Sequence, residues 1–392
     1  MHIFQAKIRN ILKIIADDKI PFLKGVLEPY AEMVYLPGHR ISRNDLHNAD
    51  ALLIRTRTKC TDSLLKNTSV KFIGTATIGF DHIDIASCNR NNIKWTNSPG
   101  CNSSSVQQYI TAALLKLEKD HNFVLKDKTL GVIGAGNVGS KVEKSARSLG
   151  MNVLLNDPPR ERREGRNGFT DIEILLWESD IITLHVPLNI VGEDQTYHLF
   201  DDEKFGKLRS GVWFINSSRG EVVENAAIKK ALSTGKLAGA ILDVWENEPD
   251  IDQELMTSAY IATPHIAGYS TDGKANGTAM AVNALCRHFD LPLHEWYPDN
   301  VPAPGKPDIK IDCSGKKDEE IILEAVMHTY DISLDDRNLR NSPSTFEIQR
   351  GDYRLRREFH AFTVRLKHSS EDVKRILKEI GFKTDVLSFN SE

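Results

Sequence analysis

TLGVIGAGNVGSKVEKSARSLG, residues 129–150, decides how this chain folds. An apolar run leads straight into glycines at positions 134, 136 and 139, and an amphipathic stretch follows without a break. A strand that opens into a helix through G-x-G-x-x-G is the phosphate-binding turn of a dinucleotide site. Gly134 permits the tight turn, Gly136 lets backbone approach a pyrophosphate, and Gly139 brings helix and strand close together. The helix N-terminus adds amide donors and a positive dipole. Alone, the triplet is also an ordinary glycine-rich turn. A second apolar run, NVLLND, ends in Asp157 about 20 residues further on, the distance at which a carboxylate meets the adenine ribose. Asp157 would bond the ribose hydroxyls and repel a 2′-phosphate, so the expected cofactor is NAD. Arg160, Arg162, Arg163 and Arg166 follow it, either as a solvated charged loop or as a clamp for a 2′-phosphate.

Outward from this turn, short apolar runs alternate with longer amphipathic ones. Predicted strands cover residues 13–16, 51–55 and 71–74 before the turn and 129–134 at it. Others follow at 152–156, 181–185, 211–216, 238–243 and 260–263. Continuous rather than alternating apolar character, with helical patterns between, predicts buried parallel strands in a doubly wound α/β architecture. The serines at 103–105 offer an N-cap, and Ile110, Leu114 and Leu117 recur at helical spacing, which predicts a helix over 103–119. A further helix is predicted over 274–289, and residues 297–308, YPDNVPAPGKPD, have linker composition. Beyond the linker, helices are predicted over 318–330 and 346–359, then a strand over 361–366. A last helix carries Val373, Ile376, Leu377 and Ile380 on one face.

The 392 residues suffice for two or three domains, and 40% apolar with 27% charged composition is that of a globular protein. Lys plus Arg total 50 against 54 Asp plus Glu, so there is no global positive field for nucleic acid or an anionic membrane. From Leu291 onward the balance is 16 against 19, and the basic run 353–357, YRLRR, reads as a solvated or interface face before it reads as a phosphate contact. Five cysteines, odd in number and without a C-x-x-C pair, fit a reducing compartment and no metal site. Lys7, Arg9 and Lys13 break the N-terminal apolar runs too early for a signal peptide, and no run reaches the roughly 18 residues a membrane helix needs. A cytoplasmic protein is expected.

Three predicted strand ends carry polar residues where a doubly wound fold places ligands: Arg219 in INSSRGEVV, Glu248 in LDVWENEPD and His265 in PHIAGYS. A histidine paired with a carboxylate can take a hydroxyl proton, and an arginine can grip a carboxylate with two prongs. Together they make a 2-hydroxyacid site. Singly, each reads equally as an ion-pair partner, a turn acid before Pro249 or a satisfied loop histidine.

In order and spacing, INSSRGEVV, LDVWENEPD and PHIAGYS, with the glycine-rich turn, resemble the D-isomer-specific 2-hydroxyacid dehydrogenases. The resemblance runs from about Lys13 to the C-terminus, leaving residues 1–12 as an extension. It implies Arg219 and Glu248 as active-site residues and His265 as the group that gives or takes a proton. It implies Asn137, Val138, Ser217, Ser218, Arg219, Asp243 and Gly268 around NAD, with Asp243 able to accept from the nicotinamide carboxamide. Val186 in LHVPL stands where the family usually has threonine, so only its backbone is expected at the cofactor. Thr56, Thr77 and Tyr269 are implied at the substrate, and Arg55 beside Thr56 makes either a phosphate grip or a plain strand-end loop.

The implied fold is a discontinuous flavodoxin-like substrate domain (13–104 and 268–290), a Rossmann NAD domain (105–267) and a small α+β domain (291–392) that forms a homodimer. The versions GTATIGFDHID, NSPGCNSSSVQQY, NDPP and HIAGYS resemble those of one branch of that family, and this resemblance implies a small phosphorylated hydroxyacid substrate, 4-phospho-D-erythronate, oxidised at C2 in pyridoxine biosynthesis. The alternatives are a family member acting on phosphoglycerate, against which PGCN and RTRT argue, or a non-catalytic NAD-sensing protein.

Overall fold

The computed structural model describes residues 11–121 and 123–386. The extension expected at residues 1–12 lies almost wholly outside them. Two compact units emerge, one formed by the chain up to Asn102 with Thr271–Pro302, the other by Ser103–Ser270 with the chain from Ala303 onward.

In the first unit, five parallel strands, β1 (Leu12–Asp17), β2 (Ala31–Leu36), β3 (Ala51–Ile54), β4 (Phe72–Thr75) and β5 (Lys94–Thr96), lie in the order 2-1-3-4-5. This is the flavodoxin-like order. The helix Thr271–Phe289 returns to this unit and buries Ala281, Val282 and Leu285 with Ile14, Leu53 and Phe72. β2 and β5 had no expectation. AEMVYL is buried only at Ala31, and KWT has three residues, so neither shows the continuous apolar run that marks a central strand.

In the second unit, β6 (Thr129–Ile133), β7 (Asn152–Asn156), β8 (Ile181–Leu184), β9 (Val212–Asn216), β10 (Leu237–Leu242) and β11 (Ile261–Ala262) form an all-parallel sheet. Its order is β11-β10-β9-β8-β6-β7, so the chain reverses direction of growth between β6 and β8. At such a switch point the strand ends splay apart and leave a crevice for a ligand. Where a typical Rossmann sheet adds a third strand beyond β7, an irregular segment takes the edge: Thr170 N–H donates to Leu155 O (2.6 Å) and Asn156 Nδ2 to Thr170 O (2.9 Å).

A third parallel sheet, β12 (Asp308–Asp312), β13 (Thr363–Lys367) and β14 (Lys383–Val386), belongs to the C-terminal part. Its strand DIKID alternates exposed and buried, which reads as polar linker when only the prolines before it are counted. Its core is not separate. Ile309, Ile321, Val326, Val364, Val373 and Leu377 join one apolar cluster with Val106, Ile110, Leu114 and Leu117 of the helix Ser103–His121. That helix is buried nearly all round, as only a helix enclosed by other elements can be. Gln107 and Gln108, polar and buried, bridge the gap: Gln107 Nε2 donates to Ser145 Oγ and Ile380 O, and Gln108 Nε2 to Thr329 Oγ1 and Arg357 O.

The predicted helix 346–359 ends at Gly351, and an unpredicted one spans Ile332–Asn341. Residues 353–358 run extended because each polar side chain has a tertiary partner. Tyr353 and Arg354 donate to the buried Asp335, and Glu358 accepts from Ser270 Oγ at 2.8 Å. Arg356, 2% exposed, lies 3.8 Å from the Tyr330 ring centre and donates to Gln108 Oε1 (2.8 Å), Ser105 O (2.6 Å) and Ile266 O (3.3 Å). The solvated or interface face expected of YRLRR is thus, at Tyr353 and Arg356, an internal buttress. Arg356→Leu should lower unfolding stability by about 3 kcal/mol, because three buried oxygens lose their donor. Urea unfolding of the full chain measures it.

Candidate active site

The glycine-rich turn is built as the crevice requires. Gly134 has φ +87°, and a Cβ there would lie 2.6 Å from His185 O and 2.9 Å from Val186 Cγ1, at the end of β8. A Cβ on Gly139 would overlap the Gly134 carbonyl, whereas one on Gly136 would meet only open space. The first and third glycines therefore serve packing, and the second leaves room for a ligand. Asn137 beside it is exposed, and Val138 precedes the helix Gly139–Ser148.

The Asp157 carboxylate accepts from Ala135 N (2.8 Å) and Arg160 N (3.0 Å), which ties the end of β7 to the turn. Ser217 Oγ, just past β9, is buried without a hydrogen-bond partner. An orphaned hydroxyl, an open glycine and a carboxylate at the second strand end fit a bound dinucleotide. The arginines after Asp157 all have acidic partners: Arg160 and Arg163 pair with Glu164, Arg162 with Asp194 and Arg166 with Asp171. Arg160 also donates to Ala135 O inside the turn.

Past β10 the chain builds a rigid loop around one buried acid. Asp243 Oδ1 accepts from Thr263 Oγ1 (2.6 Å) and Ile266 N (2.8 Å), and Oδ2 from Ala267 N (2.9 Å). Tyr109, fully buried, gives its proton to Thr263 Oγ1 at 2.8 Å. His265 sits at φ +55° and Asn247 at φ +61°, left-handed backbone that costs a non-glycine residue energy and persists only where surroundings enforce it. Here the Asp243 backbone oxygen receives His265 N–H at 2.7 Å.

The two loops meet in a hydrogen bond. His265 Nδ1 lies 2.7 Å from Glu248 Oε2, and Glu248 Oε1 accepts from Trp245 N at 3.0 Å. Burial works against the Glu248 carboxylate, but His265, Arg350 and the Trp245 amide outweigh it and hold its carboxyl below the usual range. The acid is ionised, so Nδ1 carries the hydrogen it donates and Nε2 is left as the basic nitrogen. His185, at the end of β8, is pushed down to about 3 by burial, which leaves it neutral, and its Nε2 lies 3.0 Å from Thr183 Oγ1.

Arg219 follows a turn held by Asn216, whose Oδ1 accepts from Ser218 N and Oγ and whose Nδ2 donates to Arg219 O. Gly220 packs so tightly on the Trp245–Glu246 backbone that a Cβ has no space. The Arg219 turn is thereby locked to the loop that carries Glu248. Gly268 lies in the turn closed by Tyr269 N and Ile266 O at 2.8 Å.

One participant had no sequence signal. Arg350, from the helix Phe346–Gly351, places Nη2 3.2 Å from Tyr269 Oη and Nη1 3.9 Å from Glu248 Oε2.

In the first unit, Arg55 is half-buried at the end of β3 with Thr56 exposed beside it. Thr77 Oγ1, past β4, contacts Thr75 Oγ1 (2.7 Å) and Gly79 O (3.0 Å). Lys274, in the first turn of the helix Thr271–Phe289, has its amine pushed down by burial and by the charge of Arg55. Arg55 and Lys274 are thus near enough for their charges to interact. Lys274 was within a predicted helix, and helical spacing carried no hint of this pairing.

Residues 104–267 match the family described as D-isomer specific 2-hydroxyacid dehydrogenase, NAD binding domain, and residues 304–381 match a domain of unknown function, DUF3410. The erythronate-4-phosphate dehydrogenase of Bacteroides thetaiotaomicron is 48% identical over 354 residues, 90% of this chain and 99% of that protein. The protein of the same name from Porphyromonas gingivalis is 42% identical over 375 residues, 95% and 100% of the two chains. The chain belongs to the erythronate-4-phosphate dehydrogenase family.

That family sits within the D-isomer specific 2-hydroxyacid dehydrogenases. The D-lactate dehydrogenase of Aquifex aeolicus, solved with NAD and lactic acid, is 28% identical and superimposes with a TM-score of 0.59 over 71% of this chain and 95% of its own. Residues 104–267 are accordingly an NAD-binding domain. Gly139→Ala should weaken NAD binding by about tenfold or more, because the turn must open to admit a methyl group. A fluorescence titration with NADH measures it.

Proposed function

We propose that this chain oxidises the C2 hydroxyl of 4-phospho-D-erythronate to 2-oxo-3-hydroxy-4-phosphobutanoate in pyridoxine biosynthesis. The contact that carries the reading is His265 Nδ1 on Glu248, which leaves Nε2 as the proton acceptor. Gly134, Gly136, Asn137, Val138, Gly139, Asp157, Val186, Ser217, Ser218, Asp243 and Gly268 would hold NAD, which would supply the hydride acceptor, with Asp243 able to accept from its carboxamide.

His265 Nε2 takes the hydroxyl proton, and the ionised Glu248 stabilises the imidazolium that results. Arg219 grips the substrate carboxylate and polarises the forming carbonyl. Arg55, Thr56, Thr77 and Lys274 take the phosphate, and a dianion there relieves the repulsion between the two cations. Tyr269 donates to the substrate from the His265 side. Residues 13–104 with 268–290 serve the substrate, 105–267 the cofactor and 291–392 self-association as a homodimer in the cytoplasm. No helix among the described residues is long and apolar enough to cross a membrane.

Steady-state rates with 4-phospho-D-erythronate and 3-phosphoglycerate test the substrate, and a preference for phosphoglycerate would overturn it. His265→Asn should cut kcat by about 10²–10⁴-fold with NAD affinity kept, since only proton transfer is lost. Lys274→Met should raise KM for the phosphorylated substrate about tenfold and leave kcat nearly unchanged. Both are read from initial rates of NADH formation.

A further inference from the structure

The C-terminal part, a domain without an assigned role in its own family description, does more than share a core. Its helix Phe346–Gly351 carries Arg350 to Tyr269 and towards Glu248, the acid bonded to His265. Nη2 donates to Tyr269 Oη at 3.2 Å, and Nη1 lies 2.8 Å from Glu347 Oε1 and 3.9 Å from Glu248 Oε2. The guanidinium is also held 5.7 Å from the ring centres of both Tyr269 and Phe346, and its Nε is buried without a hydrogen-bond partner. A surface arginine gains little from such an arrangement. Here both Arg350 and Glu248 are 18% exposed, so solvent screens their attraction less than it screens the outer contact to the 36%-exposed Glu347.

We propose that Arg350 is a positioning residue of the active site, through which the C-terminal domain fixes the Tyr269 hydroxyl and the Glu248 carboxylate that holds His265. The proposal rests on the oxidoreductase reading above for what the site does, but not for the contacts themselves. A guanidinium can only donate, so Tyr269 Oη is the acceptor in that contact, and the phenol's own proton is directed to another group. Toward Glu248 the same cation competes with His265 for one carboxylate oxygen, Oε2, and thereby limits how strongly the acid holds a protonated imidazole. Around this cluster lie Asp243 near His265, Glu347 behind Arg350, Tyr269 itself and, with its ring centre 6.0 Å from that of Tyr269, Tyr353 with Arg354 over its ring, while Arg219 precedes the glycine packed on the Trp245–Glu246 backbone. Glu347, Tyr353 and Arg354 belong to the C-terminal domain, and Glu347 neutralises Arg350 from its outer side.

The experiment compares Arg350→Met and Arg350→Lys in the full chain. In the substrate-free protein, the Glu248 carboxyl is followed by infrared difference spectroscopy and assigned with Glu248→Gln. Removing a neighbouring cation destabilises the carboxylate, so its titration should move to higher pH in Arg350→Met and stay near wild type in Arg350→Lys. With 4-phospho-D-erythronate and NAD, kcat/KM of Arg350→Met should fall about tenfold or more, and its acid limb should move to higher pH as the imidazolium is held more tightly. Arg350→Lys should keep the wild-type limb. A Glu248 titration that does not move in Arg350→Met, or that moves equally in both variants, overturns the proposal. A charge-dependent shift of Glu248 in a chain that does not oxidise phosphoerythronate would uphold the positioning role and overturn the substrate instead.

Discussion

The buried carboxylate of Asp243 sets the geometry on which the site depends. Three donors from residues 263–267 converge on its two oxygens, and its own carbonyl receives His265 N–H. Burial raises its carboxyl above the ordinary range against those donors and the nearby His265, a measure of how costly this placement is. The return is a loop whose backbone cannot relax. His265 is held in left-handed conformation, aimed at Glu248, and the turn that follows presents Gly268 and Tyr269. A hydrogen-bonded cage of this sort works because removing any one donor leaves a buried charge short of partners.

The same loop is supported from behind by residues far away in sequence. Arg356 donates to Ile266 O, Glu358 accepts from Ser270 Oγ, and Arg350 reaches Tyr269. These three side chains come from one stretch that does not form regular secondary structure beyond Gly351. Its extended course is explained by its partners, since a helix there would turn most of these groups away from the loop. The C-terminal part is thus continuous with the nucleotide-binding part both through apolar packing on the helix Ser103–His121 and through this set of polar contacts.

Much of the fold was legible before the coordinates. Central parallel strands are apolar on both faces, so 129–134, 181–185 and 238–243 announced themselves, as did 152–156 at the sheet end, where the segment at Thr170 covers it, and their observed bounds differ by at most a residue. Edge strands such as β2 and β12 did not, because half of their residues face outward and their pattern merges with loop. The helix expected across 346–359 failed for a different reason: local periodicity favoured helix, but tertiary contacts to Asp335, Gln108 and Ser270 decided against it.

By itself, the sequence determined the cofactor turn and the parallel-sheet class, because these depend on short-range spacing and on residue chemistry, while the resemblance of its motifs to the family points to Arg219, Glu248 and His265 as the proposed catalytic set. Tertiary structure alone decided which groups tune them. The Arg350 contact to Glu248, the influence of Arg55 on Lys274 and the conversion of a basic run into a buttress join residues from 90 to about 220 positions apart, and no local pattern records such a meeting. Electrostatic coupling depends on distance through space and on burial, and neither is written in the order of residues along the chain.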